Sequence, residues 1–206
     1  MPTLLHLVAS PRGHFSISRR LSNAAVDAWR LKNPGGKVIE RDLNKTKMTF
    51  VDLEWITGAF STSDHHTDNH KRALAISDEL IQELLEADEI IVGTPMYNFA
   101  IPAVLKAWID HVVRFGKTFK YGTTGREGLA KGRKVVIVVA SGQKYDAASG
   151  LDANDFEIPY LRHILGFIGI TDITFIQAGG TMQVAQEQVS ADDFVAPLLQ
   201  QIIDAV

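Results

Sequence analysis

Short apolar runs recur along the chain, and stretches with apolar residues at helical spacing separate them. The runs have the length of buried strands, and they occupy residues 3–9, 36–42, 90–93, 134–140 and 170–178. The helical patterns run from Leu21 up to Pro34, over 71–87, from the segment after Phe99 to about Phe115, through 158–167, and over 189–206. Five strands alternating with five helices predict an α/β fold with a doubly wound parallel sheet.

The fourth of these strands indicates how the sheet is covered. Its centre, residues 135–139, is apolar at every position, which is typical of a parallel strand with helices on both faces of the sheet. With five strands we expect the order 2-1-3-4-5, and a ligand crevice where the order reverses, between strands 1 and 3. We expect residues 1–206 to form a single domain.

Two segments depart from the alternation. Residues 43–70 keep no single period, so we expect a short helix and a long excursion there. The histidines of this segment, His65, His66 and His70, lie beside aspartates; we interpret them as part of a solvated loop with helix-capping residues rather than a zinc site. Residues 116–133 contain five glycines and predict a loop or a β-hairpin insertion.

The loop after strand 1 has the features of an anion site. Ser10, Ser16 and Ser18 supply hydroxyls, and Ile17 lies at the predicted start of a helix, where free backbone N–H groups and the helix dipole favour an anion. Arg12 adds positive charge. The loop lacks both the P-loop pattern and the three glycines of the dinucleotide fingerprint. We interpret it as a simple phosphate site, and the alternative is a plain serine N-cap.

The loop after strand 3 has a different character. It reads Pro95-Met96-Tyr97-Asn98-Phe99 and offers an aromatic ring, an amide and backbone groups, but no acid–base pair. We interpret it as a shelf for a flat polar ring. A phosphate at the first loop and a flat ring at this one together describe a mononucleotide with an isoalloxazine ring, which is FMN.

A third loop reaches the same edge after strand 4. It consists of Ser141, Gly142, Gln143 and Lys144, and we expect it to complete the ring site. Lys144 has two interpretations: a charge beside the reduced ring, or a solvated loop lysine. Of the other polar residues near the strands, we interpret His6 as a hydrogen-bonded core histidine and Asp42 as a solvated strand end.

Composition excludes several classes of protein. The formal net charge of −3 argues against a nucleic-acid partner, and the absence of cysteine excludes disulfides, thiol catalysis and thiolate metal sites. No apolar run reaches the length of a membrane span, and the first residues lack the basic region of a signal peptide. We therefore expect a cytoplasmic protein without a membrane partner.

Four segments together resemble the FMN-dependent NADH-azoreductases, of the flavodoxin-like NAD(P)H:quinone reductase group. These segments are residues 10–18, 95–99, 105–110 and 165–170. The resemblance implies that Ser10, Ser16, Ile17 and Ser18 bind the phosphate and ribityl side, and that residues 95–99 and 141–144 bind the ring. Family members often have Ser-Arg-Gly-Gly where this chain has 141–144, so those contacts rest on weaker agreement.

The resemblance also implies a homodimer with two active sites at the subunit interface. Phe119, Tyr121 and Phe167 are then candidates to line the substrate pocket. The helix after residue 102 favours the same state, because Trp108, Ile109, Val112 and Phe115 give it more apolar breadth than one sheet contact needs. We interpret His111, on this helix, as a packing or interface residue.

The predicted chemistry needs no catalytic side chain, because a flavin carries it. We expect hydride transfer from NADH or NADPH to flavin N5, and then to a quinone or azo compound in the same place, with ping-pong kinetics. The sequence leaves the choice of nicotinamide and of physiological acceptor open. The alternative function is a hydrolase of the acyl-carrier-protein phosphodiesterase type, although the chain has no G-x-S-x-G elbow and Ser10 has no evident base.

Overall fold

The computed structural model describes residues 1–123 and 125–206, and its central feature is a five-stranded parallel sheet. The strands of the chain are β1 (Thr3–Val8), β2 (Lys37–Asp42), β3 (Glu89–Pro95), β4 (Phe119–Gly122), β5 (Gly125–Gly128), β6 (Lys134–Ser141) and β7 (Asp172–Gly179). The parallel sheet has the order β2-β1-β3-β6-β7. This is the predicted order 2-1-3-4-5 once the hairpin strands β4 and β5 are set aside, so the predicted topology is confirmed.

Helices cover both faces of this sheet. They are α1 (Ile17–Lys32), α2 (Leu53–Ala59), α3 (Asp68–Glu86), α4 (Ala103–Val112), α5 (Glu157–Phe167), α6 (Met182–Ala185) and α7 (Ala191–Ala205). One apolar core lies between the sheet and α3, α4 and α5, and a second lies between the sheet and α1 and α7. Neighbouring β6 residues alternate between them: Val135 and Ile137 enter the first core, and Val136 and Val138 enter the second.

The irregular segment contains α2 and ends in a well-formed helix cap. The Thr67 hydroxyl accepts the backbone N–H of His70, and the His70 ring lies 3.4 Å from the backbone nitrogen of Thr67, which completes a capping box for α3. His66 donates from Nε2 to the Gly58 carbonyl at 2.9 Å. Helix capping by this segment is therefore confirmed. Within residues 1–123 and 125–206, no three His, Asp or Glu side chains group as metal ligands would.

The glycine-rich insertion forms an antiparallel hairpin of β4 and β5. Gly128 packs directly on Gly169: a Cβ at Gly128 would lie 2.3 Å from the Gly169 backbone nitrogen. The Ala130 N–H also donates to the Ile168 carbonyl at 2.8 Å. The hairpin is therefore fixed to the turn after α5, which carries the predicted pocket residue Phe167. Thr124, in the insertion, lies outside the described residues.

Two interpretations made from the sequence need correction. Trp108, Ile109 and Val112 are buried in this chain's own core, because α4 packs on the sheet and on α3, so these three side chains are not free to form a dimer surface. Asp42 is not a solvated strand end either: its carboxylate pairs with the Arg19 guanidinium at 2.7 Å. Burial acts to raise the pKa of Asp42, but the Arg19 hydrogen bond and the Asn44 contacts outweigh it, so the pKa lies below its ordinary value.

The predicted packing roles of two histidines are confirmed. His6 is buried, with Nε2 2.9 Å from the Ser22 hydroxyl. His111 is also buried, and its Nε2 donates to the Thr49 carbonyl at 2.8 Å, which fastens the irregular segment to α4. In the part of the chain that the structure describes, none of the helices has the length and apolarity needed to cross a membrane.

Candidate functional site

A crevice of about 520 Å³ opens at the carboxyl edge of the sheet. The loops after β1 and β3 form two of its walls, as expected at the point where the strand order reverses. The predicted residues that line it are Ser10, Ser16, Ile17, Ser18, Pro95, Met96, Tyr97 and Gly142. The structure thus brings residues from three separate loops to one cavity.

The start of α1 forms the polar end of this crevice. Ser16 caps the helix, because its hydroxyl accepts the Arg19 N–H at 3.2 Å. Ser10, Ser16 and Ser18 are buried, and the Ser16 and Ser18 hydroxyls lie 3.2 Å apart. The first turn of a helix leaves N–H groups without helical partners, so those of Ile17 and Ser18 can meet an anion.

The charged residues around this end favour an anion as well. Arg12, His14 and Arg20 line the crevice, and Glu187 is its one carboxylate among the described residues. Arg20 also forms an ion pair with Asp192 at the start of α7. Two guanidinium groups near backbone N–H groups that have no helical partner are a donor set that can bind a phosphate.

The distance between the serine loop and β3 depends on a glycine. A Cβ at Gly93 would lie 2.6 Å from the Ser22 hydroxyl and 3.0 Å from the Ser18 carbonyl. Only a residue without a side chain lets α1 approach β3 this closely. Gly93 therefore sets the width of the crevice between the predicted phosphate and ring sites.

The predicted ring shelf is a tight turn. The N–H of Ala100 donates to the Tyr97 carbonyl at 3.1 Å, and the Tyr97 N–H donates back to the Ala100 carbonyl at 2.9 Å. Asn98 and Phe99 both have positive φ, at 50° and 69°, as the central residues of a type I′ turn require. The turn exposes both side chains, and the Asn98 amide makes no hydrogen bond to any described residue. It is free to meet a ligand.

The loop after β6 contributes less than expected. Gly142 lines the crevice, and Ser141 is buried with its hydroxyl donating to the Gln143 carbonyl at 2.7 Å. Gln143 and Lys144 are exposed and do not line it; Lys144 borders a separate groove beside α7. For Lys144, the geometry matches the solvated-lysine interpretation better than a charge beside the ring.

The wall that follows β7 was not predicted from the sequence. Its residues are Thr181, Val184, Ala185 and Glu187. The Ser141 carbonyl accepts the N–H groups of Gly180 and Thr181, each at 3.0 Å, which ties this wall to the loop after β6. The one sequence signal was its position after the last strand, since α6 is only four residues long and has no measurable period.

The predicted substrate-pocket aromatics lie together, but not in this crevice. The ring centroids of Phe119 and Phe167 are 4.8 Å apart, and those of Phe119 and Tyr121 are 5.9 Å apart. Phe115 stacks on Tyr121 at 6.3 Å, and the Arg126 guanidinium lies 4.4 Å above the Phe167 ring. We call Phe115, Phe119, Tyr121 and Phe167 the aromatic cluster. None of its members lines the crevice within one chain.

The crevice is built to bind rather than to perform acid–base chemistry. The Ser10 hydroxyl lies 3.4 Å from the Arg12 backbone nitrogen, and no described histidine or carboxylate is hydrogen-bonded to it. Nucleophilic catalysis by a serine needs such a base. The donor set instead fits FMN: helix N–H groups and buried hydroxyls suit the phosphate, and the free amide of Asn98 suits the pyrimidine edge of the ring.

A doubly wound five-stranded sheet with a ligand crevice at its reversal point defines a flavodoxin-like protein, and the sequence matches the family described as having a flavodoxin-like fold over residues 2–202. Within that class, the chain belongs to the family of FMN-dependent NADH:quinone oxidoreductases. It is 45% identical over 205 residues to FMN-dependent NADH:quinone oxidoreductase 8 of Burkholderia lata, covering 100% of this chain and 96% of that one.

Further relatives agree. FMN-dependent NADH:quinone oxidoreductase 2 of a Jannaschia species is 43% identical over 198 residues, covering 96% of each chain. Among solved structures, an azoreductase from Bacillus anthracis superposes with a TM-score of 0.88 at 28% identity, covering 99% of this chain and 98% of that one. The predicted relationship to azoreductases and quinone reductases is therefore confirmed.

Proposed function

We propose that this protein is an FMN-dependent oxidoreductase that transfers electrons from a reduced nicotinamide to quinones and azo compounds. The observation that carries the proposal is a crevice in which the α1 start and residues 95–97 of the ring shelf lie together, with the spacing set by Gly93. Asn98 and Phe99, at the tip of the turn, are exposed and do not line the crevice. The names of relatives 42–45% identical over most of the chain support it, and they favour NADH over NADPH as the donor.

The chain's part in the reaction is to bind and orient. Ser10, Ser16 and Ser18, with the N–H groups of Ile17 and Ser18, hold the phosphate; residues 95–99 hold the ring, with Ser141 and Gly142 along its edge. Bound FMN would supply the redox chemistry, accepting a hydride from the nicotinamide at N5 and returning reducing equivalents to the acceptor. The exposed Tyr97 and Phe99 side chains border the open side where a second flat molecule enters.

We infer that donor and acceptor occupy this opening in turn. Both substrates are flat molecules that would enter beside the turn and occupy the same place, and such mutually exclusive occupancy gives ping-pong kinetics. Initial rates with NADH and a soluble quinone should give parallel double-reciprocal lines. Intersecting lines, which require both substrates to be bound together, would contradict the shared opening. The same assay with NADPH measures the preference between nicotinamides.

Asn98 provides the test of the ring site. Replacing it by alanine removes the free amide, and alanine also adopts positive φ less readily than asparagine, so Asn98→Ala should weaken FMN binding about tenfold. Titration of the apoprotein with FMN, followed by quenching of flavin fluorescence, measures this. Unchanged FMN affinity and an unchanged rate of flavin reduction by NADH would refute the assigned role.

We further propose that the active unit is a homodimer in which the aromatic cluster serves the active site of the partner subunit. The cluster's separation from the crevice of its own chain is then explained, since it would complete the pocket of the other copy. Large exposed apolar side chains flank α4 on the same side of the sheet: Phe50, Leu53 and Phe60 around α2, and Phe115 after α4. These residues, rather than α4 itself, would form the interface.

A further inference from the structure

The start of α5 is hydrogen-bonded to both ends of the ring-binding turn. The N–H of Phe156 donates to the Phe99 carbonyl at 3.0 Å. The Thr94 hydroxyl, immediately before Pro95, donates to Glu157 Oε1 at 2.9 Å. Two consecutive residues of the α5 start thus contact both ends of the segment from Thr94 to Phe99.

Glu157 is an unusual residue at this position. Its side chain is 0% exposed, although charged side chains are almost never fully buried unless paired. Its second oxygen, Oε2, is buried without a hydrogen-bond partner among the described residues. The contact to Thr94 is the one hydrogen bond that the Glu157 side chain makes in the described part of the chain.

Helix capping does not account for Glu157. Asp155 performs that task, because its Oδ1 accepts the N–H of Glu157 at 2.9 Å and the N–H of Ile158 at 3.0 Å. A buried carboxyl group with one partner destabilises the fold. Its one visible contribution is the contact that fixes Thr94, the last residue before the ring shelf.

We propose that Glu157 is a positioning residue that holds the Thr94–Phe99 segment in the conformation that binds the flavin ring. This inference rests on the proposed FMN function. Glu157 acts through Thr94 and contacts neither FMN nor substrate. The α5 start, through these two hydrogen bonds, would fix the ring shelf relative to the end of β3.

The groups around Glu157 favour its neutral form. Burial raises the pKa of Glu157 to about 9; the Thr94 hydrogen bond lowers it in part, and the Asp155 carboxylate raises it further. From β3 the facing group is the uncharged Thr94 hydroxyl. On α4, the charged side chains Lys106 and Asp110 act on Tyr160, one turn further along α5. No cation among the described residues pairs with Glu157.

Two pairs of variants test the proposal by FMN titration of the apoprotein. Glu157→Ala and Thr94→Val each remove one end of the contact and should weaken FMN binding about tenfold, the effect of losing one hydrogen bond to a buried group. Because both act on the same contact, the double variant should bind FMN no more than about twofold worse than either single variant. Glu157→Gln, which keeps a neutral acceptor, and the exposed control Asp152→Asn should bind within about twofold of the wild type.

A pH series separates positioning from simple packing. If the turn needs the neutral acid, wild-type affinity for FMN should fall about tenfold between pH 8 and pH 10, because the competent fraction falls with ionisation. Any fall caused by ionisation of the flavin itself affects both proteins equally. The part caused by Glu157 should be missing from the profile of Glu157→Gln. Identical profiles, or wild-type affinity in folded Glu157→Ala and Thr94→Val, would overturn the inference while leaving the FMN function intact. Failure of the wild type to bind FMN would overturn the proposed function, and this inference with it.

Discussion

His6 and Glu157 are buried side chains whose ionisation opposes folding in different pH ranges. Burial, followed by the nearby Arg19 and Arg30, lowers the pKa of His6 to about 4, from an ordinary value of 6.5. The unfolded chain therefore binds a proton between pH 6.5 and 4 that the folded chain does not, and stability is lost as pH falls through that range. Glu157 acts in the opposite sense: the unfolded chain releases this proton near pH 4.5, but the folded chain keeps it up to about pH 9. Its stabilising contribution is therefore full below about pH 4.5 and is lost as pH rises through about 9.

A histidine substitution isolates the first of these effects. Glutamine at position 6 can keep the contact to the Ser22 hydroxyl but does not titrate. Between pH 6.5 and 4.5, the wild type should lose up to about 1.4 kcal/mol per pH unit relative to His6→Gln. Urea unfolding at several pH values measures the difference. The exposed His163→Gln variant is the matched control and should keep the wild-type slope; equal slopes for all three proteins would show that His6 does not titrate as described.

At the scale of elements, the packing of α1 on β3 places the anion site beside the ring site. The hydrophobic pattern predicted both elements and the loop at each end. It did not predict Gly93 as the point of close approach, because a glycine within an apolar strand gives no sign of which helix will meet it. The same holds for Gly128, whose contact with Gly169 fixes the hairpin: these residues are 41 positions apart and meet through tertiary packing that the local pattern does not indicate.

Gly93→Ala tests this packing. The new methyl group would collide with the Ser22 hydroxyl and the Ser18 carbonyl, so α1 must move away from β3. We expect a loss of about 1–3 kcal/mol in stability, together with weaker FMN binding because the crevice widens. The measurements are urea unfolding and FMN titration.

Gly166→Ala is the control for this prediction. Gly166 lies in α5, where an alanine methyl group would meet no atom within 4 Å, and its φ is not positive, so alanine should stabilise the helix by about 0.5–1 kcal/mol. The two Gly→Ala changes should therefore have opposite signs. A stabilising effect at both positions would mean that α1 tolerates the methyl group and that Gly93 does not set the crevice width.

At the scale of the whole molecule, the sequence predicted those parts of the site whose position follows from the order of the strands alone. Parallel strands deliver their following loops to one edge, so the loops after β1, β3 and β6 could be placed together from the sequence. The wall formed by residues 181–187 and the hydrogen bonds from α5 to the ring turn could not be predicted in this way. Both depend on tertiary contacts between segments whose apolar residues show no regular spacing. The burial of α4 was missed for a related reason: its apolar breadth is satisfied by the sheet and α3 together, which a helical pattern alone does not distinguish from a dimer surface.

The exposed apolar side chains around α2 carry the last prediction, which concerns assembly. Phe50, Leu53 and Phe60 are 82%, 75% and 73% exposed, and burying such side chains against a second copy contributes about 1.5–3 kcal/mol each. The protein should therefore sediment as a dimer at micromolar concentration, and the double variant Leu53→Glu/Phe60→Glu should raise the dimer dissociation constant at least about tenfold. Leu31→Glu is the matched control, because Leu31 is 84% exposed on α1, across the sheet from α2 and α3, and should leave the dimer intact.

If the aromatic cluster serves the partner's site, the monomeric double variant should keep FMN affinity but lose turnover with quinones. A monomeric wild type would mean that the chain forms no such dimer. A double variant that remains dimeric would mean that the interface lies elsewhere.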